Sequence, residues 1–168
     1  METLFPGLSA MENPHPVFVH FPLVLLPVSL LFLVLARLRK RPDFERVAVW
    51  LLWLGTLGAL AAAGTGMLAE EEVQVPEAAH EVLELHEVLG KVAAGFALLL
   101  SLAAAFGRRW LGERLGAVLL VGLLLLTGLL AVGADRGALL VYQYGVSVQK
   151  AAPAGGAEVE REHRRGRN

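Results

Sequence analysis

Four long apolar runs constrain this chain more than any other feature. They cover roughly residues 17–36, 47–68, 88–106 and 115–134. Each is close to the ~20 residues that an α-helix needs to cross a hydrocarbon core. A water-soluble bundle would keep a polar stripe on each helix, and these runs leave none. The composition agrees: 55% of the 168 residues are hydrophobic and 18% are charged. The fold class expected is an all-α integral membrane bundle of four transmembrane helices in contact with the lipid bilayer. Lipid offers no partner to a bare backbone group, which favours helices throughout the spans.

Charge in the connections sets the expected orientation. The first, RLRKRPDFER, holds Arg37, Arg39, Lys40, Arg41 and Arg46, and the third, GRRWLGER, holds Arg108, Arg109 and Arg114. The second, AEEEVQVPEAAHE, has no Lys or Arg. Basic connections stay in the cytoplasm, so both termini and the acidic connection are expected outside. Trp50, Trp53 and Trp110 suit interfacial anchoring. The opening METLFPGLSAMENP lacks a basic start and carries Glu2 and Glu12, so the first run is expected to stay as an anchor and not be cleaved as a signal peptide.

The expected division follows. Residues 1–16 form an outer segment, 17–134 the bundle, 135–150 a cap on the outer face, and 151–168 a disordered tail of small and charged residues. Arg161, Arg164, Arg165 and Arg167 in that tail lie too far from the spans to set topology.

There is no cysteine, which excludes disulfides, thiolate metal sites, iron–sulfur clusters held by this chain and covalent haem attachment. Five histidines remain, and His163 lies in the tail. The other four gather toward the outer face. Counting back ~20 residues from the cytoplasmic ends puts His20 and His86 at one level, near the outer boundary, with His15 and His80 above them. Histidine is costly in a membrane unless partnered, so a shared role is expected. Two histidines from two helices are the usual axial pair for a b-type haem, with the bundle enclosing the macrocycle.

His20 and His86 are the first choice for that pair. His15 and His80 are the second, as an alternative pair or as partners of the propionates. Gly90, four residues beyond His86 on the same face, leaves room for the macrocycle, as do Gly55, Gly58, Ala61, Ala62, Ala63, Gly64 and Gly66 in the second run. Such residues also serve plain helix packing, within the chain or in a homodimer through Gly58, Ala62 or Gly122. Arg136, Lys91, Tyr142 and Tyr144 stand at a level to hold propionates. Glu87 and Lys91 also form a local i, i+4 pair.

Four prolines surround the first histidines. Pro14 and Pro16 suit an extended entry or a first helical turn. Pro22 either kinks a helix begun near Pro16 or starts one of its own, and Pro27 frees the Leu23 carbonyl.

Other chemistry is less well supplied. His80 and His86 are six residues apart, on different helical faces, unlike the two histidines of a zinc-protease helix. With Glu81 and Glu87 they offer a copper or zinc site as the alternative to haem. Ser29, Thr65 and Ser101 have no base beside them. No span carries a mid-depth charge to couple ion transport. A non-catalytic membrane subunit is the alternative from another class.

The opening HPVFVHFPLVLLPVSL, the later AAH…H…LG and the closing GALLVYQYGVSV resemble a bacterial four-helix membrane family, domain of unknown function 2231. The resemblance covers residues 14–148. His15 and His20 match its opening pattern, and Tyr142, Tyr144 and Gly145 its closing one. It implies an inner-membrane protein, and the Rieske-type or cytochrome c domains joined to some members imply electron transfer. A periplasmic cytochrome c, a Rieske-type protein or quinol is then the expected partner. Many members have an acidic residue near the end of the second span, where this chain has Glu70, Glu71 and Glu72.

Overall fold

The computed structural model describes residues 4–9, 11 and 13–148. The tail expected over 151–168 lies outside them. Four long helices dominate: α1 (His20–Arg39), α2 (Pro42–Glu72), α3 (His80–Phe106) and α4 (Leu115–Tyr142). There is no strand among the described residues. All four helices are long and apolar enough to cross a membrane, and the chain is a multi-pass membrane protein.

A helical turn, His15–Phe18, leads into α1. Pro16 occupies its first positions, where a missing N–H costs nothing. Pro22 has no N–H to offer the Phe18 carbonyl, and helical bonding lapses at Val19. Yet Val19 keeps α conformation (φ −62°, ψ −25°), and its N–H still reaches the His15 carbonyl at 3.2 Å. Residues His15–Arg39 therefore run as one span. This is the first of the two arrangements open to Pro22.

The chain reverses at Lys40, in the left-handed region (φ 52°), and Pro42 starts α2. Asp43 and Glu45 in the first turn of α2 complement its dipole. At 31 residues, α2 exceeds the thickness of a hydrocarbon core and continues into the acidic stretch. The fourth helix is also longer than expected. It runs to Tyr142, so the first half of the segment expected as a surface cap is helix. The end is a left-handed glycine cap: Gly145 N–H donates to Val141 O at 3.1 Å, the 5→1 bond of an αL motif, and Val146 N–H reaches back to Leu140 O at 3.0 Å. Gly145 takes φ 66°, a conformation that suits glycine. The glycine of the closing motif thus ends α4.

The helices form an up-and-down bundle in which α1 packs on α2 and α4, and α3 on α2 and α4. Thus α1 and α3 face each other across the diagonal. Leu26, Leu33, Leu52, Leu123 and Leu126 fill the core, with Ala48, Ala93 and Ala97 between them. Trp50, Leu57, Leu99 and Leu124 stand on the outside, as lipid contact requires. Inside a membrane the helices gain little from burying oil against oil, so close packing and buried hydrogen bonds hold them.

Ser29 donates to Ala48 O at 2.7 Å, joining α1 to α2. Thr56 donates to Ala97 O at 3.2 Å and accepts from Ser101 at 2.8 Å, joining α2 to α3. Thr56→Val should cost about 0.6–2 kcal/mol, read from unfolding in detergent. An unchanged stability would deny this joint a structural role.

Candidate functional site: a histidine pair across the bundle

The end of the bundle where α1 begins and the α2–α3 connection lies encloses a cavity of about 660 Å³. Its walls come from all four helices and are mostly small or apolar, including Ala59, Ala62, Ala63, Ala93, Ala94 and Leu130. The volume is in the range of ~300–1,000 Å³ common for ligand pockets. Val146 and Ser147, folded back by the glycine cap of α4, contribute to the wall.

Two histidines meet in this cavity. His15 comes from the turn ahead of α1, and His86 from the second turn of α3. Their ring centroids are 6.2 Å apart and their planes cross at 87°. Each is anchored to a neighbouring helix. His15 Nδ1 lies 2.9 Å from Ala62 O on α2, and His86 Nδ1 lies 2.9 Å from Gly133 O on α4. A carbonyl only accepts, so each Nδ1 carries the proton. When neutral, a ring held this way keeps its lone pair on Nε2, the tautomer of an Nε2 metal-ligating imidazole. Two metal–imidazole bonds of ~2 Å each, added to the ring radii, come to about 6 Å.

Glycines seat both rings. A Cβ at Gly66 would stand 3.1 Å from His15 Cε1, and one at Gly137 would stand 3.0 Å from His86 Cε1. Either would press on the ring. Asn13, buried at the cavity wall, accepts the His15 backbone N–H at 3.2 Å and fixes the start of the turn.

The remaining expected site residues are distributed unevenly. His20 lines the cavity but is exposed. His80 is exposed and outside the lining. Gly90 lines the cavity and has open space beside it. Tyr142 stands at the mouth, 89% exposed. Arg136 and Tyr144 are not part of the lining, and Arg136 lies 3.7 Å from Asp135. Glu87 and Lys91 form the expected i, i+4 pair at 2.8 Å, on the cavity wall.

Among the described residues no group of three or more His, Cys, Asp or Glu side chains is arranged to hold a metal ion. Zinc ordinarily takes three or four protein ligands. A lone histidine pair is better matched to a metal whose other ligands come from a macrocycle.

The family model for a predicted membrane protein, DUF2231, matches residues 12–150. The chain belongs to this family. The match in DUF2231 takes in Asn13, both histidines of the pair, both glycine seats and the glycine cap of α4. No curated protein and no solved structure matches the chain.

Sequence reasoning named both histidines but in different pairs, His20 with His86 first and His15 with His80 second, whereas the structure brings His15 to His86; it left out Asn13, the Gly133 carbonyl and the Gly137 seat. Gly66 appeared only as one of many small residues. The available signal was spacing: each histidine reaches a carbonyl 47 residues further on.

Proposed function

We propose that this protein is a b-type cytochrome of the bacterial inner membrane, with His15 and His86 as axial ligands near the extracytoplasmic face. The observation that carries the reading is the crossed histidine pair, anchored through Nδ1 on both sides of an apolar cavity. The residues fit the group: two free imidazole lone pairs, small wall residues and the absence of a third ligand in the described chain. Bound there, haem supplies reversible one-electron chemistry.

The chain's own residues restrict that chemistry. With His15 and His86 both holding the group, no position would be left for a substrate, which suits electron transfer. The carbonyls of Ala62 and Gly133 fix the ring planes and raise ligand basicity, which favours the oxidised state. The apolar walls exclude water. Basic residues cluster at the opposite end of the bundle, which supports placing the ligand end outside. Glu77, Glu81 and Glu84 are exposed at the ligand end. They favour a redox partner with a basic face, such as a periplasmic cytochrome c or a Rieske-type protein. Quinol, reaching the cavity from the outer leaflet, is the donor class compatible with the exposed apolar flank.

The test is a dithionite-reduced minus oxidised spectrum of the detergent-purified protein from haem-supplied cells, with iron and haem assayed on the same sample. The expected result is a sharp low-spin haem b spectrum with one haem per chain. The crossed rings further predict a highly anisotropic low-spin EPR signal with a large maximum g value. A colourless protein would overturn the reading, and bound copper or zinc in that sample would replace it with a metal site. A rhombic EPR signal of parallel rings would reject the His15–His86 geometry.

A further inference from the structure

The two histidine supports are copies of each other. His15 bonds to the Ala62 carbonyl 47 residues later, and His86 to the Gly133 carbonyl 47 residues later. One helical turn beyond each carbonyl stands the glycine against that ring, Gly66 or Gly137. The same ring edge faces both glycines, with Cε1 nearest, Nδ1 next and Nε2 furthest: 3.1, 3.2 and 3.9 Å at Gly66, and 3.0, 3.4 and 3.7 Å at Gly137.

The correspondence extends into the core. The shift that carries His15 onto His86 also carries Leu26 onto Ala97, Ser29 onto Leu100, Leu52 onto Leu123 and Gly55 onto Leu126. All eight of these residues are buried. The burial register is thus kept while side-chain volumes differ: Leu26 stands against Ala97, and Gly55 against Leu126. A large residue in one half tends to have a small counterpart in the other, which lets a single core fill from both sides.

We infer that the chain is a tandem repeat of one ligand-bearing helical hairpin, and that Gly66 and Gly137 are matched positioning residues for the two imidazoles. One hairpin is α1 with α2, the other α3 with α4. A pseudo-twofold axis passes between the rings. Each hairpin supplies a histidine from its first helix, and a carbonyl and a glycine seat from its second. The glycine lets the ring lie close enough to keep its Nδ1–H on the carbonyl. This rests on the cytochrome reading only for the redox part of its test.

The test compares Gly66→Ala, Gly137→Ala and the double variant with Gly128→Ala, where an added Cβ meets open space. In haem-loaded protein each single seat variant should raise the haem dissociation constant roughly 10–100-fold. Each should move the midpoint potential upward by a similar amount, because a weakened Nδ1–H···O=C bond makes the ligand less basic. The EPR signal should shift in both, and Gly128→Ala should match the parent. Unchanged potential and EPR in the seat variants would overturn the positioning role. A large effect at one seat and none at the other would overturn the equivalence.

A second measurement does not need haem. In protein labelled with ¹⁵N-histidine and stripped of cofactor, His15 and His86 should both show the Nδ1–H tautomer, and each seat variant should perturb its own ring. Different tautomers at the two histidines would overturn the inference even in a colourless protein. A colourless parent with two matching tautomers would instead count against the cytochrome reading alone.

Discussion

If the protein binds haem as proposed, replacing His86 with Ala should abolish the low-spin haem spectrum and lower haem retention by at least about tenfold, and His15→Ala should do the same. Each removal would leave one histidine to hold the group and open a gap in a cavity of about 660 Å³. Free imidazole can enter that gap, so millimolar imidazole should restore low-spin character to either variant. His80→Ala should keep the parental spectrum, since His80 is exposed and outside the cavity lining. His20→Ala should keep low-spin haem while altering its surroundings, because His20 lines the wall without reaching the pair. Circular dichroism of the empty variants should remain helical, separating ligand loss from unfolding. Bis-histidine haem surviving in His86→Ala would sink the assignment of this ring as a ligand.

That pattern divides His15, His20, His80 and His86 in a way the sequence only half reveals. Counting residues from a span's end gives height, and height alone grouped His20 with His86. It does not give azimuth. His20 follows His15 by five residues, a rotation of roughly 140° on a helix, so the two cannot face the same point. The helical turn His15–Phe18 was hidden in a proline-rich stretch that reads equally well as extended chain. Once that turn is helical, His15 belongs to the first span and its side chain can reach Ala62 on α2.

The four spans themselves were legible because lipid leaves a chain few alternatives to helix. Their outer limits were not. Acidic residues 70–72 were read as connection, yet helix propensity for Glu is high and water accepts it, so α2 continues through them. Gly137 falls in the segment expected as a surface cap. In the structure it lies inside α4, where its lack of a side chain makes room for the His86 ring. Glycine marks both turns and close approaches, and pattern reading cannot tell the two apart without knowing what stands opposite.

Gly58 supplies the contrast, and its replacement should damage the protein through packing. A Cβ there would stand 2.5 Å from Phe21 Cβ and 3.2 Å from Pro22 Cδ. Neither atom can yield: one is fixed to the α1 backbone and the other belongs to a proline ring. α1 would have to move away from α2, which should cost roughly 1–3 kcal/mol. Gly122→Ala is the control. Its new Cβ would meet the tip of the Leu100 side chain, which can turn aside, so the cost should be smaller. Because His15 is held to α2 through a single hydrogen bond to Ala62, a shift of α1 against α2 should also loosen the ring. Gly58→Ala should therefore lose both unfolding stability in detergent and haem affinity, whereas Gly66→Ala should lose chiefly the second. Parental stability in Gly58→Ala would show that α1 and α2 can separate at this level without cost. The ligand geometry would then have to be held by the two carbonyls and two glycine seats alone.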